Sequence, residues 1–147
     1  MAKLKIVDKK LDEIREYENN PRRNDKAVGA ARKSIEKFGF RNPILLNKDG
    51  VIISGHTRIK AAREAGEETV PCIVLDHLTE EEEKAFRLAD NRVGEFAQWD
   101  DDALLEEMKE IGADDWKDFG FDEKDMKGLR APDECTCPKC GKVFIDT

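Results

Sequence analysis

The chain has 147 residues, of which 39% are hydrophobic and 40% charged, with a formal net charge of −7. That length and apolar content suit a folded domain with an appendage and exclude a disordered chain. No run approaches the roughly 20 apolar residues of a membrane span, and residues 1–5 lack the apolar core of a signal peptide, so the expected location is the cytoplasm, with no membrane partner.

Charge is divided along the chain. Residues 1–76 carry 16 Lys and Arg against 12 Asp and Glu, whereas residues 77–147 carry 10 against 21. A mildly basic front half can attract phosphate or nucleic acid. The acidic back half repels duplex DNA and reads as a solvated face or as a docking surface for a basic partner.

In chain order, residues 4–7 alternate like a short strand. Residues 17–25, rich in Asn and interrupted by Pro21, follow neither regular period and form a loop facing solvent or ligand. Ala27, Val28, Ala31, Ile35 and Phe38 line one stripe of a helix over 25–38, which Gly39 ends with a left-handed cap. The apolar runs 43–47 and 51–53 flank Asp49-Gly50, a hairpin signal. A second helix over 56–65 is closed by Gly66, and 70–75 is a third apolar run in which Pro71 requires a strand start or an edge. Thr79 and Glu82 form a capping box for a helix reaching about residue 90, with Ala85, Phe86, Leu88 and Ala89 as its apolar residues.

Beyond it, Trp99-Asp100-Asp101 starts a helix with Leu104, Leu105, Met108 and Ile111 on one side, stopped by Gly112. Residues 121–129 suggest a last short helix before the linker Ala131-Pro132-Asp133. Trp99, Trp116, Phe119 and Phe121 read as core anchors of these helices, because their acidic neighbours would repel a nucleic-acid backbone. The expected fold class is α/β, of the α+β kind. A small mixed-sheet domain spans 1–98, an acidic helical extension 99–130, and a cysteine-knuckle tail 131–147.

Four cysteines in a cytoplasmic chain point to metal or free thiols rather than disulfides. Cys72, in an apolar run, reads as core. Cys135, Cys137 and Cys140, in a segment running Cys-Pro-Lys-Cys-Gly-Lys-Val-Phe, have the spacing of a zinc knuckle, with Val143 and Phe144 to cover one side of the ion. A fourth ligand for Zn²⁺ must come from Asp133, His77, Cys72 or another chain, and reduced free thiols are the alternative. His77 alone reads as a surface histidine.

The densest chemistry lies at the end of the second half-hairpin, where Val51-Ile52-Ile53-Ser54-Gly55 breaks into the helix beginning His56-Thr57-Arg58. A helix start leaves its first N–H groups without intrahelical partners and carries the positive end of the dipole, so a phosphate placed there is favoured by backbone alone. Gly55 permits close approach. Ser54, His56, Thr57 and Arg58 add hydroxyls, a titratable ring and a bidentate cation. The alternative is an ordinary strand-helix junction with a polar cap. Asn20 and Arg22, in Asn-Pro-Arg on the 17–25 loop, could close over bound phosphates or stay solvated. Asp90 and Asn91, at the end of a Glu-rich helix, read on their own as a helix C-terminus capped by Asn beside an exposed acid.

Asn20-Pro21-Arg22, Gly39-Phe40-Arg41-Asn42-Pro43-Ile44-Leu45, Ser54-Gly55-His56-Thr57-Arg58 with Ala61-Ala62, and Leu88-Ala89-Asp90-Asn91-Arg92 resemble, in this order, the boxes of the ParB/sulfiredoxin-like superfamily. Within it the chain is most similar to the short ParB-like nuclease-domain proteins of phages and mobile elements, often found beside or fused to DNA methyltransferases. The resemblance implies a nucleotide- or phosphate-binding module in DNA transactions, with Gly55 and Arg58 on the triphosphate and Asp90 and Asn91 holding Mg²⁺. His56 falls where CTP-hydrolysing relatives carry an acid, and an imidazole is no hard oxygen ligand for Mg²⁺, so binding without turnover is expected. Sulfiredoxin's reactive Cys before His-Arg is replaced here by Gly55-His56, which argues against sulfinic-acid repair. Two other classes stay open. One is an enzyme, with His56 as its catalytic residue: a nuclease, nucleotide hydrolase or phosphotransferase. The other is a non-catalytic adaptor for a DNA-modifying enzyme.

Overall fold

The structure, a computed structural model, describes residues 4–111, 116–121, 134–136 and 143–145. The chain divides into two compact units, Met1–Gln98 and Trp99–Thr147. The first contains β1 (Ile6–Lys10), α1 (Asp25–Phe38), β2 (Ile44–Asn47), β3 (Ile52–Ser54), α2 (His56–Ala65), β4 (Thr69–Leu75) and α3 (Glu80–Phe96).

The four strands form one mixed sheet in the order β1-β4-β2-β3. β2 and β3 are the antiparallel hairpin expected around Asp49-Gly50, with a register shift between Leu45 and Leu46. Gly50 adopts a positive φ of 77°, and a Cβ there would lie 2.8 Å from the Glu13 carbonyl oxygen. β4 returns parallel to β2, as a crossover through a helix requires, and β1 pairs antiparallel with its other edge. Pro71 lies inside β4, opposite Asp8 of β1, but the pairing with β2 begins only at Cys72. Locally β4 is therefore an edge at Pro71, and the missing N–H costs no ladder bond.

Apolar spacing translates directly into the core. Ile44, Leu46, Ile52, Ile59, Ala62, Val70 and Cys72 are buried together with Leu11 and Ile14. Val28 and Ile35 of α1 pack with Ala61 of α2, and Phe40 touches both clusters. The first strand is displaced from the expected 4–7 to Ile6–Lys10, because pairing with β4 rather than local alternation sets its length. Phe38, expected in the stripe of α1, is 54% exposed.

α3 departs most from expectation. Its capping box is present, with the Thr79 hydroxyl accepting from the Glu82 N–H at 3.3 Å and the Glu82 carboxylate accepting from the Thr79 N–H at 2.8 Å. The helix then runs on to Phe96, so Asp90 and Asn91 lie within it rather than at its end. Its buried residues are Glu83 and Arg87, whereas Phe86, Leu88, Val93 and Phe96 are exposed.

In the second unit, α4 (Asp101–Ile111) is capped by Asp100, whose Oδ1 accepts from the Ala103 N–H at 3.1 Å, and Met108 is buried. Trp116–Phe119 forms a 3₁₀ turn. Trp116 and Trp99 both approach Phe121, at 6.1 and 5.9 Å between centroids, but Trp99 stays 69% exposed and is not the core anchor expected. β5 (Glu134–Thr136) pairs antiparallel with β6 (Val143–Ile145), Cys135 opposite Phe144. Gly112, 122–129, the 131–133 linker, Cys137 and Cys140 lie outside the described residues. Among the described residues, no helix is long and apolar enough to cross a membrane.

Candidate anion-binding site

β3 delivers the chain to Ser54 with Ile52 and Ile53 buried, and Gly55 turns it into α2 at φ +113°. A Cβ on Gly55 would stand 2.5 Å from Cδ1 of Ile44, so only glycine fits both the dihedral and the space. No side chain caps α2, and its first turn holds no acid. Gly55, His56, Thr57 and Arg58, at this helix start, line a cavity of about 160 Å³.

Three segments wall this cavity. The 17–25 loop supplies Asn20, Arg22 and Asn24; the junction supplies Ile53, Ser54, Gly55, His56, Thr57 and Arg58; α3 supplies Asn91. The polar loop and the junction, 30 or more residues apart in sequence, are tied by Asn24 Nδ2 donating to Thr57 Oγ1 at 2.7 Å and by the Tyr17 N–H donating to His56 Nε2 at 3.3 Å. Arg22 Nη1 reaches across to Asn91 Oδ1 at 2.8 Å, while Asn91 Nδ2 bonds back to the Arg87 carbonyl at 2.9 Å, which fixes the amide's orientation. Asp90 does not line the cavity, but its Oδ2 accepts from Ser54 Oγ at 2.7 Å.

Arg58 Nη1 donates to the carbonyls of Asn42 and Pro43 at 2.8 and 3.0 Å, so one nitrogen anchors the guanidinium and the rest of the fork stays available. Burial pushes its pKa down and the Asp90 carboxylate opposes this, leaving a cation. Burial likewise lowers the His56 pKa below the usual 6.5; Glu16 pulls it up, and Arg87 and Lys60 push it down. With Nε2 accepting a backbone N–H, the ring is the neutral tautomer protonated on Nδ1. Cys72 is buried in the core, and desolvation raises its thiol pKa to about 11, so it is no nucleophile.

Sequence reading missed Asn24, Tyr17 and Arg87. Asn24 stood in the loop already suspected, but nothing local pairs it with Thr57. Arg87 carries no local signal in the sequence; its guanidinium lies 3.8 Å from the Tyr17 ring centroid, a partner 70 residues away in the chain.

Comparison with known proteins bears on this geometry. The family model of the ParB N-terminal domain matches residues 2–92. The chain belongs to this family. The ParB-like nuclease domain-containing protein YnaK of Escherichia coli K12 is 41% identical over 83 residues, covering 56% of this chain and 95% of YnaK. The C-terminally truncated chromosome-partitioning protein ParB of Caulobacter crescentus, solved with CTP-γ-S, superposes with a TM-score of 0.61 at 22% identity, over 83% of this chain and 68% of that one. Arabidopsis thaliana sulfiredoxin matches with a TM-score of 0.48 at 29% identity, over 56% and 96% of the two chains. The mixed sheet with its helices is thus a ParB N-terminal fold, and the strand-Gly-helix junction lies within the matched segment.

Proposed function

We propose that this protein binds a nucleotide by its phosphates at the β3–α2 junction and works as a nucleotide-dependent module in DNA transactions. The observation that carries the reading is the makeup of the cavity: Arg22, Arg58, His56 and an uncapped helix start converge on it, and among the described residues no carboxylate lines it. Fixed cations and oriented N–H groups around a concavity suit a polyanion. A second cavity of about 270 Å³, lined by Ile35, Phe38, Phe40 and Asn42 among others, shares Arg58 with the first. A planar base with polar edges beside a phosphate chain fits this pairing better than inorganic phosphate does. The Caulobacter ParB structure with CTP-γ-S makes CTP the first nucleotide to try.

Mg²⁺ would enter with the nucleotide. Among the described residues no three His, Cys, Asp or Glu side chains gather as a metal site. Asp90 and Asn91 offer hard oxygens beside the cavity, and Mg²⁺ commonly takes one or two protein ligands plus phosphate oxygens. Asn91 Oδ1 is held by Arg22 and Asp90 Oδ2 by Ser54, so both would turn toward a cation only with the ligand in place. The His56 ring, neutral and with Nε2 engaged, favours binding over rapid hydrolysis.

Nucleoside di- and triphosphates, with and without Mg²⁺, should be screened by thermal shift. CTP with Mg²⁺ should raise the melting temperature more than inorganic phosphate, and no shift with any nucleotide would overturn the reading. Product formation would move it to the nuclease, hydrolase or phosphotransfer class. Silence toward nucleotides together with capture of a DNA methyltransferase would move it to the adaptor class. Zinc belongs to the same proposal for the tail: Cys135 lies on the β5–β6 hairpin whose connection contains Cys137 and Cys140. Elemental analysis of protein purified under reducing conditions should find about one Zn²⁺ per chain.

A further inference from the structure

Arg87 is 6% exposed, carries a charge and stays outside the cavity lining. Its Nε donates to the Ile52 carbonyl at 3.1 Å, and its Nη2 pairs with Glu83 at 3.4 Å. Glu83 is also buried and accepts from Asn47 Nδ2 at 3.1 Å, so the pair is neutralised and hydrogen-bonded on both sides. The guanidinium then has one free partner, the Tyr17 ring. Tyr17 is the residue whose backbone N–H reaches His56 Nε2.

We infer that Arg87 and Tyr17 are a positioning pair, which holds the root of the 17–25 loop against His56 and so keeps the anion cavity assembled. The inference rests on the binding role proposed for that cavity. The loop's far end is already pinned by Arg22 to Asn91 and by Asn24 to Thr57, so the Tyr17–His56 bond closes the remaining end. Only a neutral imidazole can accept that bond, because the protonated ring has two donors and no acceptor. Glu16 just ahead of the loop, Lys60 from α2 and Arg87 from α3 are the charged groups acting on His56. Protonating this histidine should therefore loosen an anion site, although a cationic imidazole would ordinarily strengthen one.

The test follows His56 directly by long-range ¹H–¹⁵N spectra from pH 4.5 to 8, with exposed His77, the chain's other histidine, as internal reference. Four proteins are compared: wild type, Tyr17→Phe, Tyr17→Ala and the charge-balanced double variant Glu83→Gln/Arg87→Gln, which leaves no lone buried charge. Wild type and Tyr17→Phe should show one His56 tautomer, protonated on Nδ1, titrating below the usual 6.5. Both disrupting variants should show mixed His56 tautomers, and in Tyr17→Ala, where the Arg87 charge is retained, the midpoint should move up toward the usual histidine value. Their affinity for CTP with Mg²⁺, by calorimetry, should fall about tenfold or more, the scale of one lost charge-assisted contact, while Tyr17→Phe retains it. An unchanged His56 tautomer and midpoint in both disrupting variants would overturn the inference, as would a moved His56 with unchanged affinity. If His56 responds as described but wild type binds no CTP, the positioning of His56 stands and the proposed nucleotide binding falls.

Discussion

The starts of α2 and α3 face the same deficit, backbone N–H groups without intrahelical partners, and meet it in opposite ways. At α3, Thr79 and Glu82 form a reciprocal capping box, and four glutamates fill the first turn. At α2, Gly55 provides no cap, the first turn holds no acid, and two arginines and a histidine stand around the opening. The first arrangement satisfies its donors internally and has nothing left to offer a ligand. The second leaves them facing a cavity, so the stability forgone at the cap is available to whatever anion fills the site.

The largest effect should come from removing the glycine on which the open end depends. Gly55→Ala combines a left-handed dihedral with a Cβ driven into Ile44, and chemical denaturation should register a loss of about 2–4 kcal/mol. Next is Arg58→Ala, expected to weaken nucleotide binding by about 1.5–3 kcal/mol in calorimetry. Read from sequence, Arg58 serves the ligand alone; its bonds to the Asn42 and Pro43 carbonyls give it a structural share, so this variant should also lose about 1 kcal/mol of stability. Equal affinity in wild type and Arg58→Ala would break the comparison.

At the closed end, Thr79→Ala should cost about 1 kcal/mol of stability and leave nucleotide affinity unchanged. The pH dependence there has a definite sign. Hydrogen bonds from the Thr79 N–H and hydroxyl side hold the Glu82 carboxyl below its usual value of 4.5, so its contribution is complete above about pH 4.5 and is lost as pH falls through the depressed value. The stability difference between wild type and Glu82→Gln should accordingly shrink in acid. Smallest of all, Gly94→Ala in α3 meets no atom within 4 Å and should stabilise by about 0.5–1 kcal/mol, a glycine with none of Gly55's constraints.

Much of this contrast was legible in the sequence. Ile52-Ile53-Ser54-Gly55 ahead of His56-Thr57-Arg58 marks a strand, a break and a helix start by local chemistry alone, and Thr79 with Glu82 marks a capped start in the same way. The hairpin and the helix-ending Gly66 were equally local. What escaped was set by partners distant in sequence. Ala85, Phe86, Leu88 and Ala89 are the apolar residues that the sequence offers in α3, yet the helix buries Glu83 and Arg87, because Asn47, the Ile52 carbonyl and the Tyr17 ring supply partners for them there. No periodicity encodes such a face. The ties of Asn24 to Thr57 and of Tyr17 to His56 are likewise products of chain reversal, not of composition.

The central claim, that the open start of α2 rather than the capped start of α3 receives a phosphate ligand, can be read at the backbone itself. Uniformly ¹⁵N-labelled protein titrated with CTP and Mg²⁺ should show saturable amide shifts at Gly55, His56, Thr57 and Arg58, with Glu80, Glu81 and Glu82 unmoved. Amides of 55–58 that stay still while shifts gather elsewhere, or while none occur at all, would contradict the account.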